Sequence, residues 1–408
     1  MNIQCLKCKG RGFCGRAFCP IIEKSNAMFK VKRAVSKEDF LGSSPTPFVG
    51  HYGYPYLNVG ILSTPEVKDN AWEYDAPKYW ANKNYQIKEI IDFRSNLINS
   101  RFKAHAHDRN KLLDISQEVG MASAPVDIEL NLKEKPQFRV KTDAITLPMG
   151  PNGNLEKAQI TSNPKIHTKV DKVVSDSDLK STDALIYLYQ NNFDENLLTR
   201  LLSIGTLGLK ANRKLVPTRW SITATDDTLG KRLIEDVKVL QEMHYNAFFG
   251  SYLGNYYLIL CFPGPWTYEL FETYLPKSSW NQTNEVNFMT DYENHNGRKT
   301  YAQNCAGGYY SVRLAILEQL KKLNRQGTVL ALRFITGEYA APLGVWVTRE
   351  AARKAMQNKS IEFSDKDLML KYANSLIKKK FNYDLNLLLK ESIILKNIKD
   401  QTRLSSFF

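Results

Sequence analysis

Four cysteines fall within the first 19 residues, as Cys5-x₂-Cys8-x₅-Cys14-x₄-Cys19, while Cys261 and Cys305 stand alone. A C-x-x-C turn offers two thiolates to one tetrahedral ion. A second short pair closes a four-sulfur shell of the kind that holds structural zinc. Gly10, Gly12 and Gly15 lie among the ligands, where the backbone must turn sharply and donate N–H groups to sulfur. Pro20 ends the knuckle. Zinc contributes about 10–16 kcal/mol in small modules of this type, enough to fold a short polar segment. A [4Fe–4S] cluster takes the same four thiolates, and a reactive redox cluster is a third alternative. A closed four-ligand shell leaves no open position for catalytic zinc. Lys7, Lys9, Arg11 and Arg16 surround the ligands, as in a basic knuckle that contacts phosphate.

A second set of residues suggests reaction chemistry: Arg219, Ser221, Asp226 and Asp227. Adjacent acids can place a carboxylate on Mg²⁺, as metal-dependent nucleases require. Asp291 and Glu293, or His51, would complete such a site, and Arg219 would hold a phosphate, including that of a nucleotide in a transferase. The competing explanation is local. Asp226 and Thr228 stand where a helix from Leu229 to about Gln241 is expected to start, and acids and threonines cap such starts for backbone reasons. Arg219 and Trp220 then form a stacked structural pair. His105, His107 and Asp108 read as a solvated loop.

The stretch from Phe48 to Gly60 alternates glycine with aromatic residues. Tyr52, Tyr54 and Tyr56 beside basic groups suit base stacking; aromatic packing within a strand is the alternative. Candidate DNA contacts are therefore Lys7, Lys9, Arg11, Arg16, His51, Tyr52 and Arg219.

The last eight residues read Q-x-x-L-x-x-F-F: Gln401, Leu404, Phe407 and Phe408. In one tight turn Leu404 and Phe407 eclipse, with Phe408 beside them and Gln401 offering a register-fixing amide. Apolar anchors on a chain end suit docking into a hydrophobic groove; folding back onto the protein's own core is the alternative. The pattern resembles the PCNA-interacting peptide, the tether by which repair and replication proteins ride the sliding clamp.

The net charge is +14, and residues 1–33 alone carry +7. Such a balance favours polyanions, nucleic acid foremost. No apolar run approaches membrane-spanning length and no signal-peptide pattern is present, so a cytosolic protein without a membrane partner is expected. A membrane-surface reading of the basic helix near Lys378–Ile398 leaves the cysteines and the terminal peptide unexplained.

The elements expected to position these residues are mixed. Ser43–Pro47 reads as an extended turn and Tyr85–Arg101 as a helix. Val126–Leu132 alternates as a half-buried strand, with Phe138–Leu147 returning beside it. Thr182 and Asp194 are expected to cap two short helices, to Gln190 and to Ser203. Asn246–Phe262 forms a hairpin turning at Leu253-Gly254-Asn255, Gly308–Leu323 a helix and Thr328–Ile335 a strand. Helices and strands mix without a βα repeat, so the fold class is α+β. The expected organisation is a zinc module at 1–24, a core at 25–370 with a junction near 161–180, a basic helical arm at 371–400, and the peptide at 401–408.

Several blocks resemble a known family nearly end to end: the cysteine knuckle, Phe48-Val49-Gly50-His51-Tyr52-Gly53-Tyr54-Pro55, Asp75-Ala76-Pro77, and Pro125-Val126-Asp127. The most specific is the run from Arg213 to Thr228. Thr290-Asp291-Tyr292-Glu293, Gly307-Gly308-Tyr309-Tyr310 and the terminal peptide follow. Together they are similar to the archaeal Nre family of DNA repair proteins. The resemblance implies archaeal origin, a role in DNA damage repair and a link to the sliding clamp, with no catalytic residue assignment.

Overall fold

The computed structural model describes residues 8, 11, 19–34, 38–137 and 149–400. Two compact units emerge. The first takes the chain to Leu229 together with Ala340–Gly344, and the second takes Gly230–Tyr339 with Val345 onward. Mixed helix and strand in both units agree with an α+β class.

The first unit is built on six strands: β1 (Asp39–Ser44), β2 (Thr46–Val49), β3 (Tyr56–Ser63), β4 (Ile98–His105), β5 (Val126–Leu132) and β6 (Asn152–Ile160). Their order is β1-β5-β6-β4-β3-β2, antiparallel except for the β4–β6 pair. Strand side chains alternate between faces, and here the inward set is apolar. Leu57, Val59 and Ile61 on β3, Phe102 and Ala104 on β4, and Val126, Ile128, Leu130 and Leu132 on β5 all join core clusters on that side. A helix at Lys111–Met121 covers part of it, burying Leu113, Ile115 and Val119. Asn110 caps that helix by accepting from the Leu113 N–H at 3.0 Å. On the opposite face, Leu62 and Phe48 are covered by Tyr74, Phe93 and Leu97. The outward residues at the other end of β3 and β4 remain accessible.

Within this unit several expectations change. Ser43 and Ser44 end β1, and Thr46 and Pro47 begin β2, so the proline-flanked segment is buried strand rather than turn. The 85–101 segment divides. A helix runs Ile87–Ser95, closed by Asn96, and Ile98 to Arg101 already belong to β4. The expected strand at 138–147 lies outside the described residues, and the partner of β5 is β6. The 161–180 segment carries a helix at Thr168–Ser175 inside the first unit, and the unit boundary falls later, at 229/230. Lys180, not Thr182, precedes the helix Ser181–Gln190, while Asp194 does cap Glu195–Ser203 through the Leu197 N–H at 2.9 Å.

The second unit contains β7 (Gln241–Glu242), β8 (Tyr245–Tyr252), β9 (Asn255–Phe262), β10 (Thr267–Tyr274), β11 (Asn287–Glu293), β12 (Arg325–Gln326), β13 (Thr328–Ile335) and β14 (Ile361–Phe363). Six form a sheet ordered β11-β10-β13-β9-β8-β14, with β10 and β13 parallel, and β7 pairs with β12 separately. The β8–β9 hairpin turns at Leu253 and Gly254, both in the left-handed region, as expected. Every residue of β13 is buried between parallel β10 and antiparallel β9, and its one charged side chain, Arg333, is paired with Glu272 of β10. The helix Ala306–Leu323 buries Leu314, Ile316, Leu317 and Leu320. The expected basic arm is not an appendage. Lys366–Phe381, Asn386–Leu389 and Ile393–Asp400 are three helices; their Met369, Ala373, Ile377, Leu388 and Ile394, with Leu385 just before the second, complete the core over one face of the sheet.

Candidate nucleic-acid interface

The first unit gathers aromatic and cationic side chains where β2, β3 and β4 end. Val49 closes β2, and the chain crosses to β3 through residues 50–55. Gly50 N–H donates to the Asn58 carbonyl at 2.9 Å and Tyr56 N–H to the Gly53 carbonyl at 2.8 Å. Gly53 has φ +85°, and a Cβ there would lie 2.8 Å from the Tyr56 carbonyl oxygen, so the tight crossing requires glycine. The turn thrusts its rings outward: Tyr52 is 77% and Tyr56 67% exposed.

The helix Thr218–Val237 is tied to the same corner. Leu215 N–H donates to the Ala106 carbonyl and Val216 N–H to the Ser203 carbonyl. Thr218 Oγ1 accepts from Val49 N–H at 2.9 Å and lies 2.9 Å from Ser203 Oγ. The Pro217 carbonyl then accepts from Trp220 and Ser221, starting the helix. Arg219 and Trp220 are thereby presented in its first turn, both exposed.

Three ring pairs line this corner. His51 and Tyr52 have centroids 3.9 Å apart, Tyr54 and Trp220 5.3 Å, and Tyr56 and His105 5.1 Å. His51 is held below the usual imidazole range, first by burial and then by the Arg219 charge. It is therefore a neutral ring at neutral pH, and the positive charge belongs to its neighbours. Alternation along β4 puts Arg101, Lys103 and His105 on the outward face beside Tyr56 and Asn58 of β3. Among the described residues, Arg101, Lys103 and Arg219 have no carboxylate partner.

His51, Tyr52 and Arg219 are thus brought together as candidate contacts. Arg101, Lys103 and Trp220 were missed as contacts. Arg101 was hidden by reading 85–101 as helix, and Lys103 lies just beyond that span; period-2 alternation from Ile98 to His105 was the available signal for both. Arg213 serves the fold instead. Its guanidinium donates to the Gly208, Val174 and Asp176 carbonyls at 2.6–2.8 Å, which pins loops.

The helix that carries the paired acids starts earlier than expected. Asp226 and Asp227 are not a helix cap: the helix begins at Thr218, so they sit in its interior, Asp226 buried at 1% exposure together with Ser221 and Thr225. Successive helix positions point about 100° apart, so these two carboxylates diverge. Asp291 and Glu293 belong to the second unit. Asp291 accepts from the Asn304 and Cys305 N–H groups at 3.0 and 2.8 Å and pairs with Arg298 at 3.0 Å, which holds the start of the helix Ala306–Leu323. Glu293 pairs with buried Arg313 at 2.7 Å and accepts from Trp266 Nε1. A Cβ at Gly308 would lie 2.5 Å from Glu272 Oε1, so the Gly-Gly-Tyr-Tyr block permits close approach of the helix to that carboxylate. Each of these contacts helps to hold the fold of the second unit.

Among the described residues no group of three or more His, Cys, Asp or Glu could hold a metal. Of the thiolate set, Cys8 is buried and Cys19 half-buried just before the helix Pro20–Ala34; Cys5 and Cys14 lie outside the described residues. Arg11 is described and exposed. Lys7, Lys9 and Arg16 lie outside, as do Gln401, Leu404, Phe407 and Phe408. Cys261 and Cys305 are buried, and burial pushes the Cys261 thiol up to about 12 and that of Cys305 well above its ordinary value. No described helix is long and apolar enough to cross a membrane.

Residues 13–281 match the family described as archaeal Nre, N-terminal, and residues 293–407 match archaeal Nre, C-terminal. A protein named DNA repair protein NreB from Archaeoglobus fulgidus is 35% identical, covering 98% of this chain and 99% of its own. DNA repair protein NreA of the same organism is 34% identical over 93% of this chain and 95% of its own. DNA repair protein NreA of Haloferax volcanii is 34% identical over 78% of this chain and 77% of its own. No solved structure matches. With both halves matched and relatives aligned nearly end to end, this chain belongs to the archaeal Nre family.

Proposed function

We propose that this protein is a DNA repair factor that binds DNA through the aromatic and basic corner of its first unit and is recruited to PCNA by Gln401, Leu404, Phe407 and Phe408. The observation that carries the DNA reading is a corner of six rings with Arg219 beside His51 and with Lys103 and Arg101 following along β4, three cations that lack carboxylate partners among the described residues. A net charge of +14 and relatives named as DNA repair proteins support it. Cys5, Cys8, Cys14 and Cys19 would hold a structural zinc that orders the basic N-terminal segment, adding phosphate contacts from Lys7, Lys9, Arg11 and Arg16.

Multivalency makes the combination effective. A tether raises local concentration to the millimolar range without new contacts, so a modest DNA site becomes useful on a clamped duplex. Burying Leu404, Phe407 and Phe408 yields about 1.5–3 kcal/mol each, against roughly 2–5 kcal/mol for ordering a disordered segment. Micromolar clamp affinity is the expected scale.

Titration of the protein with DNA across a salt series tests the reading. Log affinity is expected to fall steeply with log salt, and a flat dependence overturns it. Calorimetry with PCNA tests the tether: removal of residues 401–408 abolishes binding and leaves the fold intact, and unchanged affinity refutes it. Elemental analysis is expected to return one zinc per chain; iron would replace that assignment.

A further inference from the structure

In a duplex the bases are stacked on one another, and a protein meets only their edges in the grooves. An exposed aromatic ring finds a full π-face only on an unstacked base, and such stacking tolerates any sequence. The corner of the first unit is built from such rings. Tyr52, Tyr54, Tyr56 and Trp220 are all exposed, on one short crossing and one helix start held together by backbone hydrogen bonds. Ordinary strand packing would hide them against neighbours; here they face solvent.

The charges beside the rings form a line. Arg101 and Lys103 occupy alternate positions of β4, about 6.6–6.8 Å apart along one face, with the His105 ring next in the row, an arrangement suited to an extended sugar–phosphate chain. Arg219 adds a cation at the ring end. The same outward face changes sign across the sheet: β1 and β5, on the far side of β6, present Asp39, Asp127 and Glu129. A polyanion is thereby favoured over β3 and β4 and repelled from the β1–β5 edge.

Resting on the DNA reading above, we propose that this face binds single-stranded DNA. Bases stack on Tyr52, Tyr54, Tyr56 and Trp220, and phosphates run along Lys103, Arg101 and Arg219. His51 and His105 contribute as ring partners of Tyr52 and Tyr56. Duplex DNA, with its bases closed, meets the cations alone.

The experiment compares a labelled oligothymidylate with a blunt duplex of equal length, on the full chain at one salt concentration. The single strand is expected to bind at least tenfold tighter and to quench tryptophan fluorescence, and Trp220→Phe is expected to remove most of the quench. Tyr56→Ala is expected to weaken the single strand about tenfold and to leave the duplex unchanged; the ring is exposed, so the variant folds, as circular dichroism will show. Equal affinity for the two forms, duplex preference, or an unaffected Tyr56→Ala variant overturns the single-strand proposal. If Lys103→Glu still weakens binding in those cases, the broader DNA reading stands. Absence of binding to both forms overturns both.

Discussion

Two groups of cations, one in each unit, stand in different surroundings. In the second unit, cations enter the interior in company: Arg313 with Glu293, Arg333 with Glu272, and Arg353 with Glu318 and Glu350. Buried Glu269 accepts from Ser392 Oγ at 2.6 Å and from the Ile393 and Ile394 N–H groups at 3.0 and 3.1 Å, at the start of the last described helix. In the first unit, Lys103 and Arg219 are exposed near the rings and Arg101 is half-buried further along β4, none of them with a carboxylate partner among the described residues. Removing an ion from water costs several kcal/mol, so buried charges need partners; surface charges do not. The difference separates charge that holds the fold from charge left available to a ligand.

The sharpest way to break this contrast is to remove one partner of a buried pair. Glu293→Ala is expected to cost about 3–5 kcal/mol, because the Arg313 guanidinium loses its carboxylate in a dry site. Urea unfolding measures it, and a loss below ~1 kcal/mol would mean the pair is not structural. DNA affinity per folded molecule should not change. Glu269→Ala comes next. It removes the acceptor of three donors and should cost about 2 kcal/mol, read from the same transition. Glu269→Gln keeps one acceptor oxygen and should cost less.

On the first unit the effects should move from stability to binding. Lys103→Ala is expected to leave the unfolding midpoint within about 0.5 kcal/mol of the parent. It should lower the slope of log affinity against log salt by about one. An unchanged slope would remove Lys103 from the interface. The smallest effect concerns His51. Its folded-state pKa lies below the unfolded value of 6.5, so as pH falls through 6.5 the unfolded chain takes up the proton first. Stability is then lost at low pH. Denaturation midpoints at pH 7.5 and 5.5 should differ slightly more for the parent than for His51→Gln.

Some elements were legible because local chemistry and burial agree. The β8–β9 hairpin carries its turn in Leu253-Gly254-Asn255, and β5 shows strict alternation from Val126 to Leu132. The helix at Ala306–Leu323 has its apolar positions at helical spacing. Others misled for identifiable reasons. Ile87, Ile90, Ile91, Phe93 and Leu97 share one helical face, which concealed the turn at Asn96 and the strand after it. The helix Thr218–Val237 buries Ser221, Thr225 and Asp226. A polar buried stripe does not register in apolar periodicity, so its first eleven residues read as a loop with a cap. The basic composition of 371–400 suggested an arm, but its apolar positions close a core.

Composition and motif spacing by themselves determined the α+β class and the Nre family of this chain, because both rest on patterns written within short windows. Tertiary structure decided which charges pair and which stay at the surface. Asp291 and Glu293 look as reactive in sequence as Arg219, yet strand register and helix packing give them arginine partners in the second unit. Tyr52, Tyr54 and Trp220 come from segments more than a hundred residues apart, with Arg101 and Lys103 on a strand between them in sequence. They meet only because Thr218 and Leu215 bond to the strand ends at Val49 and Ala106. Pairing and exposure are properties of three-dimensional neighbours, and no local window contains them.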